Sequence, residues 1–354
     1  MENFEEYIRQ GEPGKAEKAK VWKAAIGLQD VDGLKPSEYL INTAKLNIEG
    51  DITIKEVKNR IDAYYQQHPV KNDENRTEEA DKVSARIAEI LSEQTFAFSP
   101  VEYLTIHRRL FQDIYSHAGK IRDYNITKKE WILDGESVLY ASAEGLKATL
   151  EYDFEQEKKF NYKGLNQQET IEHIAQFISY LWQIHVFGEG NTRTTAIFLI
   201  KYLRNFGFTV NNELFELHSW YFRNALVRAN YKNLAKNIYT KQEYLIRFFE
   251  NLLLGKNHLL KNREMHIRNN ELANAQNDPV NLTNELVSDP VKSKILNCLQ
   301  QNPKAKYMDI AHETGFSTSK IKRHIQELKK LNLLERIGSD KTGHWKIIPI
   351  VNIK

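Results

Sequence analysis

Cysteine is almost missing from this 354-residue chain, where Cys298 stands alone. No disulfide can close within it, and no zinc site built on several thiolates can be assembled. Long apolar runs are missing as well: nothing approaches the run of about eighteen apolar residues that a membrane-crossing helix needs. The N-terminus, MENFEEYIRQGEPGK, is polar and acidic and lacks the basic-then-apolar order of a secretory leader. These absences point to a cytoplasmic protein with no membrane partner. The sequence also lacks a Walker phosphate loop, a serine-histidine-carboxylate pattern of hydrolase type, and any metal-ligand spacing beyond a single glutamate, Glu189.

What remains is ordinary globular material, 41% hydrophobic and 27% charged, long enough for two or three domains. Its charge is unevenly spread. Residues 291–354 hold thirteen Lys/Arg against five Asp/Glu, a local net of +8, so the rest of a chain whose total is +3 carries −5. A polyanionic partner is therefore expected at the C-terminal end alone, with a solvated lysine-rich face as the plain alternative.

Apolar positions recur at helical spacing over about 15–44, 54–67, 82–92, 100–118, 143–157, 166–185, 191–206, 213–229 and 240–254, which predicts a mainly α protein. The charged stretch 72–81 reads as a loop, and 49–53 as a turn between helices. Residues 126–142, ITKKEWILDGESVLYAS, instead alternate apolar and polar side chains around Asp134-Gly135. That pattern predicts a two-stranded flap over about 125–140.

After a polar connecting segment, 291–333 gives three helical patterns, the second and third joined through Gly315-Phe316-Ser317. Glycine in the turn, a hydroxyl N-cap after it, and Ile321, Ile325 and Leu328 at helical spacing match a helix-turn-helix. Two alternating runs follow around Gly338-Ser339-Asp340, so the unit resembles the winged-helix family. The resemblance implies a third helix that turns Ser319, Lys320, Lys322, Arg323 and Gln326 toward DNA. The fold also serves as a protein-interaction module, and both uses stay open.

The densest chemistry lies in HVFGEGNTRTTA, His185 to Ala196. A glycine-flanked Glu-Gly-Asn turn can present backbone N–H groups to an anion. Glu189 is placed to share a hard cation such as Mg²⁺ with substrate phosphates, and Arg193 to pair with a phosphate. His185 supplies an imidazole able to take a proton from an attacking hydroxyl.

This stretch resembles the signature of the Fic family, HxFx(D/E)GN(G/K)RxxR. His185, Phe187, Glu189, Gly190, Asn191 and Arg193 fall on its fixed positions, and similarity extends over about 101–252. The resemblance implies a protein adenylyltransferase, with ATP as substrate and Mg²⁺ as cofactor. His185 would activate a Tyr, Thr or Ser hydroxyl of a target protein docked along the flap, and Gly188, Glu189, Gly190, Asn191, Thr192 and Arg193 would hold the nucleotide phosphates, with Glu189 on the metal. Phe222 and Asn230 fall where the family lines its adenine pocket, although plain core is the competing reading of Phe222.

Two positions depart from the signature. Thr192 replaces Gly or Lys, and Ala196 replaces the second arginine, which puts nucleotide choice and affinity in doubt; Lys201 and Arg204 are candidates to replace that cation. KLNIEG, ending in Glu49-Gly50, is similar to the family's inhibitory motif (S/T)xxxE(G/N), which implies a brake at Glu49; the alternative is a glutamate ending a helix in a solvated turn.

The expected organisation is an N-terminal helical region with the inhibitory helix over 1–95, a Fic core with its β-hairpin flap over 96–255, a linker over 256–283 and a winged helix over 284–354. Two rivals remain: a DNA-binding regulator whose Fic core senses nucleotide, and a transferase of UMP or GMP. A homo-oligomer is compatible with the sequence.

Overall fold

The computed structural model describes residues 4–69, 76–210, 213–268, 290–330, 334–337 and 343–347. They fall into two compact units, Met1–Ile267 and Arg268–Lys354. Among the described residues of the first unit, the elements are α1 (Glu5–Gln10), α2 (Pro13–Gly27), α3 (Glu38–Glu49), α4 (Ile54–Gln67), α5 (Thr77–Ser92), α6 (Pro100–Phe111), α7 (Leu146–Lys159), α8 (Gln167–Ile184), α9 (Asn191–Asn205), α10 (Glu213–Asn230) and α11 (Glu243–Leu254), with short 3-10 turns between them. The mainly helical class is as expected. Local chemistry explains several starts: Thr53 with Glu56, and Asn166 with Glu169, form reciprocal capping boxes at α4 and α8.

The expected helix over 15–44 is two helices. After Gly27 the chain tightens into a 3-10 turn, Leu28–Asp32, and reverses at Gly33, whose φ of 71° lies in the left-handed region. Ser37 then caps α3, its hydroxyl accepting from the Leu40 N–H at 3.1 Å.

Charge also misled the reading of 72–81. Residues 70–75 lie outside the described set, but α5 begins at Thr77 and buries Glu79 and Asp81. Asp81 accepts the Ser37 N–H at 2.7 Å and the Tyr65 hydroxyl at 2.8 Å, so one buried carboxylate joins α3, α4 and α5. A buried carboxylate with several donors is stable where an unpaired one is not.

The N-terminal helices share one hydrophobic core with the rest of this unit, running from Phe4 and Trp22 through Phe198 to Ile267. Helix α2 packs on α5 and α10. Contact with α10 is close enough that a Cβ on Gly27 would lie 2.3 Å from the Glu216 Cα, and Ser219 donates to the Gly27 carbonyl at 2.8 Å.

At the flap the expected turn forms. Asp134 and Gly135 both have positive φ, and the Glu136 N–H donates to the Leu133 carbonyl at 3.0 Å, as in a type I′ turn. The expected strand ladder does not accompany it. The Glu130 N–H reaches the Glu136 carbonyl at 3.0 Å, but Trp131–Leu133 coils into a 3-10 turn that buries Ile132 and Leu133. Burial of consecutive residues is incompatible with strand alternation.

The second unit contains α12 (Pro290–Gln301), α13 (Tyr307–Thr314), α14 (Thr318–Lys330), and strands β1 (Leu334–Ile337) and β2 (His344–Ile347). The strands pair antiparallel in the register Leu334↔Ile347 to Ile337↔His344. Gly315, with φ of 74°, turns α13 into α14. Ile295, Ile310, Ile321, Ile325, Leu328 and Trp345 close a separate core, and the Trp345 indole donates to the Ala305 carbonyl at 3.1 Å.

Candidate active site

The loop between α8 and α9 is built from its own backbone constraints. His185 ends α8 in the left-handed region, φ 52°, and Gly190 stands at the start of α9 with φ 76°. Asn191 staples the loop in both directions, its Oδ1 accepting the Phe187 N–H at 3.0 Å and its Nδ2 donating to the Phe187 carbonyl at 2.7 Å. Arg122 gathers the surrounding carbonyls, donating to that of His185 at 2.8 Å and to that of Ala141 at 2.6 Å.

Below the loop lies His107, fully buried and stacked on Phe187 with ring centroids 3.6 Å apart. Its Nδ1 accepts the Gly119 N–H at 2.8 Å, so Nε2 carries the proton and donates to the Glu189 carbonyl at 3.0 Å. Burial pushes its pKa down to about 3, which keeps this arrangement neutral. A scattered histidine in the sequence is thus a support of the loop.

The same logic fixes the His185 tautomer. Its Nδ1 faces the Trp182 carbonyl at 3.3 Å, an acceptor only, so Nδ1 bears the proton and Nε2 presents a lone pair. Nε2 is buried and has no partner within the described protein. Burial, then the nearby Lys128 charge, holds the imidazole pKa well below its ordinary value. Tyr140 packs on the ring at 4.2 Å between centroids.

His185 opens on a cavity of about 20 Å³ that it shares with Asp32, Lys128, Glu189, Asn191 and Arg223, among others. That is room for about one water molecule. Lys128, from the flap, crosses the cavity to Glu189 at 3.1 Å. A cavity of this size does not hold a nucleotide.

Residues 97–203 match the Fic/DOC family model. They are a Fic domain. Residues 288–335 match a winged helix-turn-helix DNA-binding model, in agreement with the three helices and paired strands of the second unit. The protein adenylyltransferase VbhT of Bartonella schoenbuchensis is 26% identical over 144 residues, which cover 37% of this chain and 29% of VbhT. The match therefore spans under a third of that relative. Among solved structures, the BepC effector of Bartonella tribocorum with bound AMPPNP covers 52% of this chain and 89% of its own at 22% identity and a TM-score of 0.41. A Fic family protein of Desulfovibrio desulfuricans covers 98% of this chain and 93% of its own at 11% identity and a TM-score of 0.44.

Several residues assigned to the nucleotide site do not line this small cavity. Arg193 is fully buried and does not line the cavity. Its guanidinium donates to Glu79 at 2.7 Å and to the Gln29 side chain at 3.0 Å, lies 2.7 Å from Asp32 in an ion pair too oblique for a hydrogen bond, and sits over the Phe111 ring. Glu49, whose family partner would be the second arginine that Ala196 replaces, pairs with Lys15 at 2.8 Å and is partly exposed. Phe222 is core, against Phe215 and Phe248. Asn230 ties α10 to α8 by donating to the Ser179 carbonyl at 3.0 Å. Neither lines the cavity.

Ala196 is fully buried, and neither suggested substitute for its missing cation serves the loop. Lys201 donates to the Ile90 and Glu93 carbonyls and Arg204 to that of Leu91, so both cap the end of α5. Thr192 accepts from the Trp182 indole at 3.0 Å and fixes α9 to α8. Gln29, Asp32, Glu79, Lys128 and Arg223 were missed because they come from distant segments with no local motif; only tertiary packing assembles them.

In the winged helix, Lys320, Lys322, Arg323 and Gln326 are exposed, opposite buried Ile321, Ile325 and Leu328. The side chain of Ser319 and residues 338–342 lie outside the described residues.

Proposed function

We propose that the Fic domain transfers AMP from ATP to a Tyr, Thr or Ser hydroxyl of a protein target, with His185 as general base. The buried Nε2 lone pair of His185, fixed by the Trp182 carbonyl at Nδ1, carries this reading. In the step, the hydroxyl oxygen bonds to the α-phosphorus, the bond to pyrophosphate breaks, and the hydroxyl proton passes to Nε2. A histidine held neutral by burial is ready to accept it.

The first N–H groups of α9 have no intrahelical acceptor, and Gly190 brings no capping side chain, so they are available to phosphate oxygens. Glu189 fits a cation shared with phosphates: among the described residues its half-exposed carboxylate has a single ion-pair partner, Lys128, and no cluster of three His, Cys, Asp or Glu forms a protein-only cage. Mg²⁺ there would supply charge neutralisation to the phosphates. VbhT, by its name an adenylyltransferase, supports the choice of AMP.

Restraint falls to Asp32 in place of Glu49. Asp32 both lines the cavity and pairs with Arg193, where its carboxylate stands in for a substrate phosphate. The winged helix would contact DNA through Lys320, Lys322, Arg323 and Gln326, with affinity falling as salt rises.

ATP labelled at the α-phosphate tests the transfer. Label should appear on protein, should not appear from γ-labelled ATP, and should be lost in His185→Ala. Excess UTP or GTP should compete poorly; effective competition would move the assignment to another nucleotide, as Ala196 allows.

A further inference from the structure

A groove outside the catalytic cavity begins beside the proposed base. Tyr140, which packs on His185, and Ile184, its chain neighbour, line a hollow of about 380 Å³ between the flap, α7 and α8. This hollow adjoins a second of about 380 Å³ along the same two helices, and Asp153 and Tyr180 belong to both. Together the two hollows run from Tyr140, whose ring packs on His185, to Phe160 and His173. Gln183 fixes the flap side of it by donating to the Leu139 carbonyl at 3.0 Å.

Its lining is apolar and aromatic: Leu139, Tyr152 and Tyr180 expose 84%, 62% and 46% of their surface around it. No lysine or arginine lines either half. Of the two carboxylates present, Glu157 is engaged by His173 at 2.7 Å and by the hydroxyls of Tyr162 and Tyr202. Asp153 is half-buried at the junction and has no hydrogen bond or ion pair among the described residues. Burial alone raises its pKa to about 6, and a cation placed beside it would favour the charged form. Aromatic rings beside a carboxylate suit a guanidinium or ammonium group, which pairs with the one and lies over the other.

We propose that this groove docks the target protein, and that Asp153 selects an arginine or lysine at a fixed distance from the hydroxyl to be modified. The proposal rests on the transfer reading, because the groove gains its meaning from where it starts.

A library of peptides with a central Tyr, Ser or Thr and randomised flanks, retained on immobilised full-length protein, tests it without requiring transfer. Arg and Lys should be enriched at one offset from the centre. Asp153→Asn should cut retention of the selected peptide by about tenfold, the loss of one desolvated ion pair of about 1.4 kcal/mol. Asp153→Lys should reverse the preference to Asp or Glu at that offset, a gain that an unfolded variant cannot show. Equal enrichment on wild type and Asp153→Asn, or no basic preference at all, overturns the proposal. Failure of His185→Ala to change labelling from ATP sinks the transfer reading instead, and the two failures are separately visible.

Discussion

At the scale of single residues, burial decides the chemistry. His107 and His185 are both kept neutral by the fold, so their folded pKa values lie below the unfolded value of about 6.5. As pH falls, the unfolded chain takes up protons first. Stability from these residues is complete above about pH 6.5 and declines below it by about 1.4 kcal/mol per pH unit for each histidine. Denaturant unfolding at pH 6.5 and 5 should show a smaller loss of stability in His185→Ala than in the wild type; an unchanged pH slope would contradict the burial argument. Gly190→Ala combines a positive φ with a Cβ 2.4 Å from the Phe111 ring, so it should abolish labelling and cost about 1–3 kcal/mol. Arg193→Met removes one of the two arginines paired with buried Glu79, the other being Arg76 at 2.7 Å, and should destabilise by about 1–3 kcal/mol in the same assay.

Elements show where sequence reasoning reached and where it stopped. Helix periods, the Asp134-Gly135 turn, the winged helix and the loop at 185–191 were legible because each is specified by neighbours in sequence. Glu79 and Asp81 read as loop charges since nothing local announces Arg193, Ser37 or Tyr65 as their partners. Glu49 matched a motif by sequence, yet α3 ends beside Lys15, while the 3-10 turn before it brings Asp32 to Arg193. Asp32→Ala should therefore raise self-labelling from ATP several-fold, and Glu49→Gly should leave it unchanged; the opposite pair of results would return the brake to α3. Gly27→Ala should force α2 from α10 and lower the melting temperature, because its Cβ would overlap backbone and not a flexible side chain.

For the whole molecule, two separate cores imply that the two proposed activities are separable. The unit Met1–Ile267 closes its own core, with the N-terminal helices built into it, so a chain ending at residue 267 should melt cooperatively and retain transfer, whereas one lacking 1–95 should not fold. DNA affinity, measured by mobility shift, should depart with the winged helix and weaken steeply with salt in the full chain. Everything proposed for the first unit depends on His185 and the loop that holds it. The most direct measurement is the intact mass of the protein after incubation with ATP and Mg²⁺, beside His185→Ala treated identically. A mass increase of one or more AMP groups on the wild type, absent from the variant, is the predicted result. No addition to the wild type, or equal addition to both, would contradict transfer by this site.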